Sequence, residues 1–399
     1  MNTERRRRAC CSVGPAAATP VPDHDGQPDG VHATRRGCTS TVLPCAVTAF
    51  GTNLPAVLDI RTARLRIRMM RESDAEILTS YRNDPEIAAM QDWDLPYSLE
   101  RARARLAEQA GRDDLVAGEW TSLAVEVAGE VAGDVAGDVA CHLDEHGAIA
   151  EIGYTFRRKF QGKGYAREAA GALVDHILAT TSVHRIEASL DPDNVPSMRV
   201  LESLGMTFES LSQQNYYLRG RWDDDLRYAM LRADRAAWLT RPAEPPAAIE
   251  LVEITPDDAH LWGRVVTHHS QERLVSPVMR SYRDALFPDV VNGAPVVPWM
   301  RGILADGERV GFVMIAVATA HHPEPYLWRL LIDRIHQRRK IGSMVLDQLR
   351  EQLSAEGHRS LTVSFHEGHG GPRPFYERHG FVPADGITDD DETGARLSW

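Results

Sequence analysis

The chain has 399 residues, with 57 Asp+Glu against 45 Lys+Arg and a formal charge of −12. At roughly 150 residues per domain that length predicts two domains. The acidic balance argues against a phosphate-driven nucleic-acid binder, which needs a basic surface to displace counterions, and no apolar run approaches the ~18 residues that a membrane helix requires.

Residues 1–56 read as a disordered leader, rich in Arg, Pro, Ala and Gly and without apolar periodicity. Six Arg and four acidic residues give it a charge of +2, so the remainder is near −14. No apolar stretch follows Arg5 to Arg8, and export is therefore not expected. Cys10, Cys11, Cys38 and Cys45 fall in this leader in no zinc-ligand spacing, and Cys141 stands alone. Cysteines spread in this way predict no disulfide framework and a reducing, cytoplasmic setting.

From residue 57 strand-like and helix-like segments alternate. LDIRTARLRIRMM predicts a strand, ESDAEILTSYRND and SLERARARLAEQA predict helices, and SLAVEVAG, DVACHLDE and AIAEIGYTF predict strands. QGKGYAREAAGALVDHILATT is a predicted helix, HRIEASLD a strand, NVPSMRVLESLG a helix, and NYYLRGRWDDDLRYAML a hairpin around Gly220 with Trp222 to Asp225 in its turn. The Val/Ala/Gly/Asp near-repeat from Val127 to Ala140 reads as a duplicated piece of a hairpin, whose register such residues specify weakly. This first unit is placed at 57–238 and is followed by a Pro-rich linker at 239–247.

The second unit, 248–399, repeats the order. AIELVEIT is a strand, PDDAHLWGRVVTHH and SYRDALF are helices, and RGILADGERVGFVMIAVAT is a hairpin turning at Asp306-Gly307. PYLWRLLID, QRRKIGSMVLDQLREQL, SLTVSFH and PRPFYERHG follow as strand, helix, strand and helix. Gln161 and Gln337 open corresponding helices 176 residues apart, and Gly205 and Gly380 close later ones 175 apart. One shared offset predicts tandem copies of a single α+β unit.

The segment that carries chemistry is AEIGYTFRRKFQGKGYAREAA, a strand entering a turn with Gly162 and Gly164 and then a helix. Amides of such a turn, with the positive end of the helix dipole, suit a pyrophosphate. Neither GxxxxGK[ST] nor an opening GxGxxG is present, so the segment is no P-loop and no Rossmann fingerprint. Gln161-Gly162-Lys163-Gly164-Tyr165-Ala166 resembles the [Q/R]xxGx[G/A] acyl-CoA motif of the GNAT acetyltransferases. AEIGY and DNVPSMRVLESLGM resemble the branch that acetylates ribosomal-protein N-termini, and PYLWRLLIDRIHQ with RPFYERHGFVP resembles the polyamine-type branch.

The resemblance implies two tandem GNAT folds, each a mixed, mostly antiparallel sheet flanked by helices. It implies acetyl-CoA as cosubstrate, held by Gln161 to Ala166, and an amine acceptor, with no metal, nucleic acid or membrane. An amine must shed a proton before attacking a thioester, and Glu151 is the candidate base. Asn194 is implied to touch the pantetheine or acyl region and Ser197 to protonate the departing thiolate, with Leu201 where many relatives carry Tyr. Asn194 equally suits a helix cap. In the second unit Gln337, Arg338, Arg339, Lys340 and Gly342 take the motif positions, His369 replaces the helix-opening Asn, and Tyr376 matches the usual proton donor or is simply amphipathic helix packing. Lys340 stands where the motif wants glycine, so its side chain either fills the cradle or adds charge to it, and filling is favoured. Asp389 to Glu392 reads as a solvated acidic turn or an attraction for a cationic amine. His321, His322, His366, His369 and His379 lack metal-site spacing. The rival readings are an acyl-CoA or amine sensor without turnover, and catalysis mainly by the second unit on a polyamine-like substrate; a dinucleotide oxidoreductase lacks its fingerprint.

Overall fold

The computed structural model describes residues 57–129, 134–368, 370–387 and 391–399. The leader, residues 130–133, His369 and residues 388–390 lie outside the described part. In chain order the first half runs β1 (Asp59–Arg61), β2 (Leu65–Met69), α1 (Ala75–Arg82), α2 (Pro85–Ala89), α3 (Leu99–Glu108), β3 (Trp120–Val127), β4 (Val135–Leu143) and β5 (Ile149–Phe156). It continues with α4 (Tyr165–Thr180), β6 (Arg185–Leu190), α5 (Val195–Leu204), β7 (Thr207–Leu218), β8 (Arg221–Leu231) and α6 (Arg232–Thr240). The strands form one sheet, ordered β1-β2-β3-β4-β5-β6-β8-β7.

The second half has β9 (Ile249–Val252), α7 (Ala259–Trp262), α8 (Val278–Leu286) and a two-stranded ribbon of β10 (Val290–Val291) and β11 (Ala294–Pro295). Then come β12 (Val297–Ala305), β13 (Glu308–Val317), β14 (Tyr326–Ile332), α9 (Ile341–Ala355), β15 (Ser360–Phe365), α10 (Arg373–Arg378), β16 (Val382–Pro383) and β17 (Thr393–Ser398). Its main sheet is ordered β16-β17-β15-β14-β13-β12-β9. The two halves thus share one plan, and the fold is two α+β units of mostly antiparallel strands.

Each sheet contains one parallel pair, joined by a crossover helix that must lie on a face. Helix α4 buries Ala169, Ala170, Leu173, Val174 and Ile177 against the first sheet, where Ala150, Ile152 and Ile186 meet them. Helix α9 does the same in the second sheet with Ile341, Val345, Leu346, Leu349 and Leu353. Helices α1 and α3 cover the opposite face of the first sheet through Leu78, Tyr81, Ala102 and Leu106.

Four expectations change. LDIRTARLRIRMM is a hairpin, because Thr62 accepts the Leu65 amide at 2.9 Å and returns its own N–H to the Leu65 carbonyl, closing a turn. PDDAHLWGRVVTHH is helical only over Ala259–Trp262; the chain then leaves to place Val266 N–H on Asp333. Trp222 to Asp225 lie on β8, and the turn is at Arg219-Gly220, both at positive φ. Strand β17 was not expected, since TGARLS offers little alternation; it pairs with β15 from Ser360↔Ser398 to Phe365↔Thr393.

The halves are joined by more than the linker. Glu202 on α5 is buried and accepts from Tyr228 Oη, Ser270 N and Ser270 Oγ, the last at 2.6 Å. His269 stacks on Phe208 at 3.9 Å, and within the second half Gln271 ties this joint to the turn at Gln337 by side-chain hydrogen bonds.

Candidate active site

The parallel pairs are short. β5 and β6 pair only from Ile149↔Arg185 to Glu151↔Glu187, and past Glu151 the two strands part. A splay of this kind leaves strand amides without sheet partners, free to meet a polar group inserted between them.

At the far end of β5 the chain turns through Arg157 to Gly164 into α4. Gly162 and Gly164 have φ of +72° and +79°, the left-handed region in which glycine costs nothing. A Cβ on Gly162 would meet nothing within 4 Å, so the turn is open on that side. This arrangement fits a pyrophosphate at the start of α4, a 16-residue helix. Gln161 points inward: its Nε2 donates to the Phe156 carbonyl at 2.8 Å and holds the turn. Lys163 lies with Nζ 5.7 Å from the Phe160 ring centre, Tyr165 packs beside Phe160, and Ala166 rests on the helix-side core.

Arg64, which sequence reading passed over, belongs to this rim. It donates to the Lys163 carbonyl at 3.0 Å, pairs with Glu168 and lies over the Tyr165 ring. No local pattern marks it, because its partners lie about a hundred positions along the chain.

The second half repeats the turn with other residues. Gln337 Nε2 donates to the Ile332 carbonyl, five residues back like Gln161 to Phe156. Arg338 and Lys340 hold φ of +68° and +61°, the conformation of Gly162 and Gly164. Arg339 turns inward to His336 Nδ1 and the Glu244 carbonyl, and Gly342 lies under the Phe375 ring. The backbone of the cradle is therefore kept although its glycines are not.

Glu151 sits at the root of the first splay on the face away from α4, 8% exposed, with Oε1 lacking a hydrogen-bond partner among the described residues. Burial pushes its carboxyl up to about 10; Arg227 works against this, while Glu187, Asp92 and Asp225 reinforce it. It is thus protonated at neutral pH and becomes a carboxylate able to accept a proton only once a cation comes beside it. Tyr216 is raised by burial and then by Asp223, Asp191, Asp225 and Asp92, which marks the same face as acidic. Arg219 closes that face by donating to the Ala88, Gln91 and Trp93 carbonyls.

Asn194 caps α5, its Oδ1 accepting the Ser197 amide at 3.2 Å. Ser197 is half-buried, and its carbonyl receives Tyr154 Oη across the splay at 3.1 Å. Tyr376 is in the helix-side core, stacked on Phe365 at 5.4 Å with Phe375 and Phe381 at its edges, and burial raises its hydroxyl. Among the described residues no group of three or more His, Cys, Asp or Glu could hold a metal, and no helix is long and apolar enough to cross a membrane.

A parallel pair that opens into a splay, followed by a left-handed turn at a helix start, defines an acyl-CoA-dependent transferase, and this chain carries the arrangement twice. Known proteins agree. The acetyltransferase (GNAT) domain matches residues 64–207 and the acetyltransferase (GNAT) family matches 264–381. The N-acetyltransferase p20 of Bacillus licheniformis is 32% identical over 183 residues, 44% of this chain and 97% of that protein. The ribosomal protein uS5-alanine N-acetyltransferase of Escherichia coli is 32% identical over 83 residues, 21% of this chain and 43% of that protein. A solved GNAT-family acetyltransferase from Bacillus anthracis is 28% identical, covering 44% of this chain and 99% of its own, with a TM-score of 0.39. The chain belongs to the GNAT acetyltransferase family, with two such domains in tandem. It is an N-acetyltransferase that uses acetyl-CoA and an amine acceptor.

Proposed function

We propose that the first domain transfers acetyl to a cationic amine, with a protein or peptide N-terminus as the leading acceptor, and that the units run 57–238 and 248–399 about a linker at 239–247. The observation that carries this reading is Glu151, buried without a partner for Oε1 at the splay root and ringed by acidic groups. An ammonium arriving there lowers the carboxyl pKa through its charge, the carboxyl releases its proton to solvent, and the carboxylate so formed takes the proton that the amine must lose. The turn from Gly162 to Ala166 holds the pyrophosphate, Asn194 keeps the start of α5 in place, and Ser197 stands at that start to protonate the leaving thiolate. The likeness to the alanine acetyltransferase supports the choice of a peptide N-terminus. A soluble protein of the cytoplasm fits this substrate.

The test is CoA thiol release with acetyl-CoA and an alanine-terminated peptide. Gly164→Glu places a carboxylate and a strained Cβ in the cradle beside Arg64 and is expected to abolish peptide acetylation. Unchanged peptide turnover in that variant overturns the reading. Binding of acetyl-CoA by the wild type without any CoA release, for any amine tried, identifies a sensor instead.

A further inference from the structure

The second sheet is built differently at its own splay. β14 and β15 pair only at Tyr326↔Thr362 and Leu327↔Val363. Across from β13 the register passes from Met314↔Arg329 to Ile315↔Leu327, so Trp328 is an extra residue in β14. One extra residue reverses the alternation of faces. Beyond it Leu330 and Ile332 pack on the α9 side, as Tyr154 and Phe156 do on the α4 side. Before it Leu327 takes the helix side, and Tyr326 takes the face that Glu151 takes in the first sheet.

A connected polar group stands there. Tyr326 Oη is 2.6 Å from Ser364 Oγ, and Ser364 is the first β15 residue beyond the paired stretch. The Ser364 hydroxyl donates to Glu392, whose other oxygen lies 3.3 Å from His366 Nε2. A carboxylate only accepts, so Ser364 spends its one proton on Glu392 and Tyr326 must donate to Ser364. Around this chain His322 Nδ1 and Arg329 Nε are buried without hydrogen-bond partners among the described residues, and the His322 ring stands edge-on to Tyr326 at 6.5 Å. Buried polar atoms left in this way cost free energy that a bound polar ligand recovers.

The cofactor end is also in place. Holding the non-glycine residues Arg338 and Lys340 left-handed is strained, and such strain persists where the surrounding structure imposes it, commonly at functional sites. Here Gln337 braces the turn by hydrogen bonds to the Ile332 carbonyl and to Gln271. Tyr376 lies among aromatic rings, stacked on Phe365, and among the described residues makes no hydrogen bond to this group.

We propose that the second domain is a separate acetyl-transfer site for an unhindered primary amine, with Glu392 as base and the Ser364–Tyr326 hydroxyl pair as proton relay. The ammonium gives one proton to Glu392. The nitrogen then forms the C–N bond to the acetyl carbon, and the C–S bond breaks. Protonated Glu392 becomes a donor, so the hydrogen bonds of the chain reverse. Its proton passes through Ser364 and Tyr326 to the departing thiolate, and the second nitrogen proton takes its place on Glu392, leaving N-acetyl amine and CoA thiol.

The test uses the full chain carrying Gly164→Glu, which removes the first site's share. Calorimetry is expected to find one remaining equivalent of acetyl-CoA, and 1,4-diaminobutane to support CoA release. Adding Glu392→Gln should lower kcat at least 100-fold with KM for acetyl-CoA within twofold; Ser364→Ala should lower it about 10-fold, and Glu392→Asp should restore part of the loss. Absence of acetyl-CoA binding in Gly164→Glu overturns the proposal, as does absence of turnover with the diamine. Equal kcat with and without Glu392→Gln, in a protein folded by circular dichroism, overturns it too. Loss of alanine-peptide acetylation alone reports on the first domain and leaves these outcomes separate.

Discussion

Glu151 shows how one side chain trades stability for chemistry. Its folded pKa lies near 10 against an ordinary 4.5. The sign follows from the raised value: the folded state keeps a proton that the unfolded chain has lost, so stability is full below 4.5 and declines as pH rises toward 10. Glu151→Gln never ionises and escapes that decline. It is expected to stabilise the protein over wild type by about 3 kcal/mol more at pH 7 than at pH 4.5, while peptide acetylation falls at least 100-fold. Urea unfolding at the two pH values, beside a kcat measurement, checks both halves; a stability difference that does not change with pH contradicts the burial argument. The identity of Glu151 as a candidate was legible in sequence, because it precedes the glycine turn on a strand. Its protonation was not, because Asp92, Glu187, and Asp225 with Arg227 come from three other places in the chain.

At the scale of elements, the Val/Ala/Gly/Asp repeat makes a sharp forecast. Asp138 ends one repeat and is buried, accepting Tyr81 Oη at 2.5 Å and facing Arg82 at 3.8 Å. A Cβ on Gly137 would come within 2.2 Å of the Thr155 carbonyl, so only glycine fits there. Deleting Val135 to Asp138 brings Val131-Ala132-Gly133-Asp134 against Val139, and the sequence of β4 is restored in full. The deletion therefore shortens the hairpin and leaves the strand intact, and Glu130 takes the sequence position from which Asp134 pairs with Arg157 and Lys159. Those are partly exposed pairs, each worth no more than about 1 kcal/mol. The variant is expected to melt within a few degrees of wild type and to keep its activity. Deleting Gly137 to Val139 instead moves Asp134, Val135 and Ala136 three places along the strand, which puts each on the opposite face, and should abolish folding, as thermal melts would reveal.

For the whole molecule the segment from His268 to Gln271 is the joint. His268 lies against Trp238, and burial, aided by Arg334, Arg241 and Arg338, holds its imidazole down to about 4 from an ordinary 6.5. A depressed histidine contributes stability above 6.5, and that contribution is lost as pH falls through 4. Calorimetry between those values should show a loss on the order of 3 kcal/mol, and His268→Asn should flatten it. An unchanged slope in the variant would place the acid sensitivity elsewhere.

Sequence alone determined the tandem α+β order, the glycine turn before α4, and the matching glutamines, because periodicity, turn chemistry and a repeat offset are local properties. The acyl-CoA expectation for the family rested on that same short motif. Tertiary structure decided the rest. It turned one apparent strand into a hairpin, placed β17 beside β15, and moved Asp223 and Asp225 from a turn to an acidic face. It also decided which carboxyl keeps its proton, that Lys340 holds the backbone of a glycine, and that Tyr326 meets Ser364 while Tyr376 packs among aromatic rings. Burial, strand register and charge proximity are sums over residues far apart in the chain. A single bulge at Trp328 is enough to exchange the two faces of a strand, and no spacing in PYLWRLLID announces it.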